Sequence, residues 1–380
     1  MKIMVIGAGL MGRAIIHDLI VHSNFEKITL IDRDEDSLKT VLKKESNQIH
    51  TERVDVEDKE KIKELFEEND IVISAIPYFF NYELSKMAID SNTNFIDLGG
   101  NNDIVDKQKK LSKQAKEKNI LIIPDCGLAP GLVSIITKDI VDTLTEVESV
   151  KLRVGGLPLK PKMPFNYQFV FSPNGLINEY VEEAIVLDNG EIKTKKSMTD
   201  IEKISFPEPF SEMEAFITSG GCSTLPYTYK NEIKNLDYKT IRYPGHCEKF
   251  KLLLDLGLGS NEPMKNLKDE IVPRKVLIKL LEKFIPYEGE DVVLLKAIGM
   301  GEYKNKRSTV EYTMIDYYDK KNDISAMMRT TGYPVSITAQ MIQSKEITAS
   351  GVFTSEEIIP PEAFFKELSK RDIEIKKEIK

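Results

Sequence analysis

Two short stretches of the chain hold residue types that can do chemistry. In "TIRYPGHCEKF", residues 240–250, Arg242 and His246 stand four apart around a Pro-Gly turn. The chain uses both types sparingly, since nine of its 53 basic residues are arginine and four residues are histidine. A guanidinium can meet a carboxylate with two parallel N–H···O bonds, and an imidazole titrates near neutrality. In "GAGLMG", residues 7–12, glycines fall at Gly7, Gly9 and Gly12 directly after the apolar run "KIMVI". Gly7 permits a tight turn from strand to helix, Gly9 lets backbone approach a pyrophosphate, and Gly12 allows the helix to lie close on the strand. The helix that begins here turns free N–H groups and the positive end of its dipole toward phosphates.

The glycine spacing alone is weak evidence, and its context strengthens it. "KITLID" reads as a second strand ending in Asp32, twenty residues past Gly12. A carboxylate at that place accepts hydrogen bonds from the adenosine ribose of a dinucleotide. Asp32 would repel a 2′-phosphate, so NAD is expected in preference to NADP. Arg33 beside it is a cation that could pair with such a phosphate instead.

Elements of alternating type must position these groups. "TERVDV", "DIVISAIP", "NFIDLGG" and "ILIIPDCG" read as further strands, separated by the helical stretches "EDKEKIKELFEEN", "NYELSKMAIDS" and "VDKQKKLSKQAKEKN". Six strands alternating with helices predict an α/β fold, a Rossmann-type doubly wound parallel sheet. Ligands of such sheets lie beyond the carboxyl ends of the strands. Those ends are Asp32, Asp55-Val56, Ile76-Pro77, Asp97-Leu98-Gly99 and Asp125-Cys126-Gly127. Gly127, Pro130 and Gly131 suit a rigid turn into the next helix, whereas folding gives no reason for an acid at Asp125.

From about Val147 the pattern changes to extended, turn-rich segments such as "VESVKLRVGGLP", "EAIVLDNGEI", "VVLLKAIGMGE" and "TVEYTMIDYYD". These predict a second α+β domain with a mixed or antiparallel sheet. "PVSITAQMIQSK" and "PPEAFFKELSKRD" read as helices that return to the first domain. The expected organisation is residues 1–130 for the dinucleotide domain, 131–330 for a substrate-binding and dimerisation domain, and 331–380 for the returning helices, with a cleft between the two domains.

Bulk properties narrow the function. At 380 residues the chain is too long for one ordinary core. A net charge of −8 argues against a nucleic-acid partner. No apolar run approaches the length of a membrane span. Cys126, Cys222 and Cys247 are far apart and show no metal spacing, so no metal is expected and a reducing, cytoplasmic setting is.

At this point the sequence resembles the saccharopine dehydrogenase-like family, and within it the L-lysine 6-dehydrogenase branch. The matching segments are "VIGAGLMG", "DIVISAIP", "PDCGLAPGLVSI", "VGGLP", "FSPNGLINEY", "EAFITSGGCSTL" and "TIRYPGHCEK", in order along almost the whole chain. The resemblance implies cofactor contacts from Gly7, Ala8, Gly9, Leu10, Met11, Gly12, Asp32, Asp55, Val56, Ile76 and Pro77. It implies substrate contacts from Leu98, Gly99, Asp125, Thr240, Ile241 and Arg242, and a homodimer built through the sheet of the second domain. The family often has Asp-Ala-Gly where this chain has Asp125-Cys126-Gly127. Cys126 is small enough to replace the alanine, and no neighbouring His or Cys in the sequence would activate it.

The reaction this implies is oxidation of the lysine ε-carbon, with hydride passing to NAD and the resulting imine hydrolysing to an aldehyde. An ammonium of pKa about 10.4 has no lone pair to give, so a base must take its proton. His246 and Asp125 are the candidates, and Asp125 could equally steer the cationic amine by charge. Arg242 would hold the α-carboxylate; its plain structural alternative is an ion pair with a neighbouring glutamate. Two other functions stay open. One is a saccharopine dehydrogenase or related imine reductase, whose three-carboxylate substrate would need cations beyond Arg242, with Arg153 and Arg329 as candidates. The other is a non-catalytic NAD-binding sensor.

Overall fold

The computed structural model describes residues 1–45, 49–265, 270–287 and 289–380. The chain divides into two compact units that exchange segments: Met1–Asp139 with Met328–Ile373, and Ile140–Met327 with Glu374–Lys380.

In the first unit, β1 (Lys2–Ile6), β2 (Lys27–Asp32), β3 (His50–Arg53), β4 (Ile71–Ser74), β5 (Asn94–Asp97) and β6 (Leu121–Ile123) are all parallel, as the alternating pattern predicts. Their order is β6-β5-β4-β1-β2-β3, so the chain reverses its winding direction beside β1, where a ligand crevice belongs. Among the described residues the sheet has one strand more than the six expected. Gly351–Val352, a later strand, pairs with β6 at the edge. Two residues from a distant segment carry no periodicity that could announce a strand. Met4, Ile6, Ile31 and Val72 bury one face against Ile62, Leu65, Phe66, Leu84 and Ala88 of the crossover helices. Ile3 and Val5 alternate to the other face and are equally buried.

The returning segment is locked to the first helix, Leu10–His22, by a buried ion pair. Arg371 donates to both carboxylate oxygens of Asp18, at 2.6 and 3.2 Å, and Gln340 donates to the same carboxylate. Neither Arg371 nor Asp18 exposes its side chain.

In the second unit, the strands are β7 (Thr145–Pro158), β8 (Ala184–Asp188), β9 (Glu191–Lys195), β10 (Glu202–Ser205), β11 (Glu212–Ile217), β12 (Asn235–Arg242), β13 (Asp291–Tyr303) and β14 (Lys306–Tyr317). With β15 being Gly351–Val352 of the first sheet, the last strand is β16 (Ile375–Ile379). Among the described residues they form a mixed sheet ordered β10-β11-β12-β7-β13-β14-β16, with β8 and β9 branching from β12. β12 and β7 are parallel and the remaining pairs antiparallel. The final strand, which the reading of the C-terminal segment as helices did not include, closes the β14 edge of this sheet.

Replacing Arg371 by Met is expected to cost about 3–5 kcal/mol, because Asp18 is left charged and buried. A urea unfolding curve measures it, and a loss below about 1 kcal/mol would show that the pair does not hold the returning segment.

Candidate active site

The strand ends of the first unit bring the predicted cofactor residues to one corner. Gly7 has φ +107°, and a Cβ there would lie 2.8 Å from the carbonyl oxygen of Ala75. A Cβ on Gly12 would collide with the Gly7 carbonyl oxygen, so the helix lies too close to the strand for any side chain. Around Gly9, by contrast, a Cβ would meet nothing within 4 Å. That space is what a pyrophosphate requires. Among the described residues no side chain caps the helix that begins at Leu10, which leaves its first N–H groups for an anion.

Asp32 closes the corner. Its Oδ2 accepts the Ala8 N–H at 2.6 Å and its Oδ1 accepts the Asp34 N–H at 2.8 Å. Both oxygens are thereby oriented, and each keeps a lone pair for a ribose hydroxyl. Arg33 is exposed, and its carbonyl accepts from Arg53 Nε, which sets a second guanidinium beside it. Ile76 reaches the underside of Gly7. Pro77 and Asp55 are exposed and Val56 is half-buried, at the ends of neighbouring strands. These residues fit a dinucleotide.

Farther along the same rim, Asp97 is fully buried. It accepts the Gly99 N–H at 2.7 Å, the Gln108 side-chain N–H at 2.7 Å and, more weakly, the Asp125 N–H at 3.4 Å. Burial pushes its carboxyl up to about 6 despite these donors, so the group changes charge close to neutrality. Asp125 is also buried, and it has φ +59°, a left-handed conformation uncommon outside glycine. Its carboxylate lies where a Cβ on Gly99 would have to be. The segment Leu98-Gly99 and the acid Asp125 are therefore in contact, and glycine at 99 is what permits it. Cys126 is an inert core thiol: burial pushes it up to about 12, and it pairs with the Thr338 hydroxyl at 3.1 Å.

The remaining predicted residues lie in the second unit, on β12 and the turn after it. Arg242 is 3 % exposed. Its Nε donates to Tyr180 Oη at 3.0 Å and its Nη1 to the Ile241 carbonyl at 2.9 Å. The guanidinium also lies over the Tyr167 ring, 5.0 Å from the centroid. Glu214, across from Arg242 in the sheet register, does not pair with it. Glu214 instead accepts the Gly245 and Cys247 N–H groups at 2.8 and 2.6 Å, at the start of the helix His246–Asp255. Among the described residues no carboxylate lies within ion-pair distance of Arg242. The glutamate pair that would have explained the arginine structurally is absent from that set. Thr240 is buried and shares a hydrogen bond of 2.7 Å with Thr218, and Ile241 is core.

His246 does a different job from the one its type suggests. It is 1 % exposed, ringed by Phe165, Tyr167, Tyr180, Phe216 and Phe250. Nδ1 faces the Phe165 carbonyl at 3.0 Å, an acceptor only, so Nδ1 carries the proton. Nε2 then accepts from Tyr180 Oη at 3.0 Å. The result is a directed chain from the Arg242 guanidinium through the Tyr180 hydroxyl to the imidazole and on to a backbone carbonyl. Burial, helped by the charge of Arg242, pushes the imidazole down to about 3. A ring with both nitrogens committed and no affinity for a proton near pH 7 is a poor base, and the geometry instead makes it the support for Tyr180 and Arg242.

Two family models cover this architecture: the saccharopine dehydrogenase NADP binding domain over residues 3–123, and the saccharopine dehydrogenase C-terminal domain over residues 127–373. The chain belongs to the saccharopine dehydrogenase family. It is thus a member of an NAD(P)-binding oxidoreductase family. The mitochondrial alpha-aminoadipic semialdehyde synthase of Mus musculus is 25% identical over 93% of this chain, which spans about half, 46%, of that relative. The saccharopine dehydrogenase [NADP(+), L-glutamate-forming] of Saccharomyces cerevisiae is 22% identical, over 92% of this chain and 93% of its own. Among solved structures, the apo saccharopine dehydrogenase (L-Glu forming) of Saccharomyces cerevisiae superimposes with a TM-score of 0.83 at 21% identity, covering 100% and 99% of the two chains. The homospermidine synthase of Legionella pneumophila in complex with NAD gives 0.68 at 14% identity, covering 100% and 91%. Both show a shared fold.

Asp97, Tyr167 and Tyr180 join the site only in the folded chain. Asp97 is marked in the sequence only as a strand end, and Tyr180 lies in the family segment "FSPNGLINEY" with nothing in its spacing to mark a role. Among the described residues, no helix is long and apolar enough to cross a membrane, and no group of three or more His, Cys, Asp or Glu could hold a metal ion.

The imidazole of His246 is expected to stay neutral in its Nδ1–H form from pH 5 to 8 in ¹⁵N-histidine spectra, assigned with the His246→Gln variant. A titration inside that window would return it to the role of proton acceptor. Since an unfolded imidazole gains its proton near 6.5 and the folded one only near 3, this group's contribution to stability should be whole above 6.5 and decline as pH falls toward 3.

Proposed function

We propose that this chain is an NAD-dependent amino-acid dehydrogenase that oxidises the ε-carbon of L-lysine. In the overall reaction a CH₂–NH₃⁺ group and water become an aldehyde and ammonium, with one hydride and one proton leaving the substrate. When bound, NAD supplies the hydride acceptor. The glycine loop Gly7–Gly12 would hold its pyrophosphate and Asp32 its adenosine ribose. Arg242 fixes the substrate carboxylate, while Tyr180 and His246 keep the guanidinium in place. Asp125, on the rim of the first unit's sheet with Leu98 and Gly99, is the acid that could accept a proton there.

The observation that carries the choice of a substrate with one carboxylate is the state of the arginines. Arg242 is buried and free of an acid partner among the described residues, with Nη2 uncommitted. Arg153, the other cation of that unit counted toward a tricarboxylate, is spent on Glu202 and Asp237. Arg329 donates to the backbone carbonyls of Arg371 and Asp372. A second reading, a saccharopine dehydrogenase, is favoured by the activity for which the Saccharomyces cerevisiae relative, similar to this chain over 92% of its length, is named.

Purified protein with NAD or NADP and either L-lysine or saccharopine, followed by the absorbance of reduced cofactor, separates these readings. Turnover with L-lysine and NAD is expected; turnover with saccharopine alone would replace the first reading by the second. Asp32→Ser should raise the KM for NAD by about tenfold or more, the size of a lost charge-assisted hydrogen bond, and narrow the preference over NADP. An unchanged ratio would mean that the ribose is held elsewhere.

A further inference from the structure

Beside Arg242 lies a carboxylate to which no role has been assigned. Glu179 is on the helix Pro173–Val181, one residue before the Tyr180 that holds Arg242. Among the described residues its side chain makes no hydrogen bond and no ion pair, although Arg242 is close enough for its charge to act on it. A third polar group belongs to a residue in contact with Arg242. The Tyr167 hydroxyl is buried, on a residue 2 % exposed, and has no hydrogen-bond partner among the described residues, while its ring stacks on the Arg242 guanidinium. A native fold seldom buries a hydroxyl without a partner, and Glu179, half-buried, keeps its carboxylate open to a ligand. All three are satisfied at once by a ligand that carries both charges on neighbouring atoms.

We propose that Glu179, Arg242 and the Tyr167 hydroxyl form a subsite for the zwitterionic head of an α-amino acid, with Arg242 Nη2 and Tyr167 donating to the carboxylate and Glu179 accepting from the α-ammonium. This rests on the reading of the chain as an amino-acid dehydrogenase and adds to it the residue that distinguishes an α-amino acid from a plain ω-amino acid. Glu179 is a binding residue here, since lysine reacts at its other end. The pH response follows from its surroundings. The charges of Arg242 on β12 and of Glu182 act on the carboxyl, and its own charge acts on the hydroxyls of Tyr167, Tyr180 and Tyr238. Burial pushes the carboxyl up to about 7, against the pull of Arg242 and with the repulsion of Glu182. The carboxylate needed for the ammonium is therefore lost as pH falls through 7.

Calorimetric titration of the full chain with three probes tests this: L-lysine, 6-aminohexanoate, which lacks the α-amine, and cadaverine, which lacks the carboxylate. Glu179→Gln should weaken L-lysine at least tenfold and leave 6-aminohexanoate within about twofold. Arg242→Ala should weaken both and spare cadaverine. Wild-type affinity for L-lysine should fall about tenfold from pH 8 to pH 6, and that of Glu179→Gln should stay flat. Thermal melts of each variant confirm folding, and Glu179→Asp provides a second, charge-conserving variant expected to recover part of the loss. Equal effects of Glu179→Gln on L-lysine and 6-aminohexanoate would overturn the subsite while lysine turnover by the wild type left the enzyme reading intact. Absence of any wild-type binding or turnover of lysine or saccharopine would overturn the enzyme reading, and the subsite with it.

Discussion

A buried guanidinium with no carboxylate at ion-pair distance, among the described residues, is the constraint around which the second unit is organised. Removing such a charge from water is costly unless its donors are satisfied and its field is balanced. Here Nε is satisfied by a tyrosine, Nη1 by the chain's own carbonyl, and two aromatic faces supply negative potential. The tyrosine must point its oxygen lone pair at Arg242, so its proton has to go elsewhere, and a neutral imidazole takes it. The imidazole in turn must keep its own proton on Nδ1, which the Phe165 carbonyl ensures. Each member of the chain determines the orientation of the next, and the aromatic cage keeps out the water that would blur it.

The first unit solves the opposite problem, holding negative groups at the rim of a parallel sheet. Asp32 and Asp97 are each oriented by two or more N–H donors, so neither wanders. Asp125 is held by backbone shape, in a left-handed conformation that its contact with Gly99 accompanies. Glycines at 7, 12 and 99 are needed because another part of the chain already occupies the volume a side chain would fill. Gly9 is the exception, and its empty surroundings are what make the corner a place for phosphate.

Much of this was legible in the residues. Strand and helix periods gave the parallel sheet and its rim, and the glycine spacing with an acid twenty residues on gave the nucleotide corner, because those signals are local in sequence. The mixed sheet of the second unit was legible as a class and not as an order. Its parallel β12–β7 pair joins residues some ninety apart, and alternation reports only which face is buried. His246 was assigned proton transfer from its type and position, and the assignment does not fit the geometry, since five aromatic rings drawn from four separate stretches decide its environment.

What the sequence by itself determined is the set of local mechanical necessities: the glycine turn, the carboxylate at the end of the second strand, the alternation that lays strand ends along one rim, and the presence of Arg242 after a strand. Only the tertiary structure decided which of the charged groups are spent. Glu214 goes to a helix N-terminus and Arg153 to two acids, while Arg242 and Glu179 are in no ion pair among the described residues. Charge and hydrogen-bond partnership depend on distances of a few ångströms between residues tens of positions apart, and no spacing along one chain encodes them.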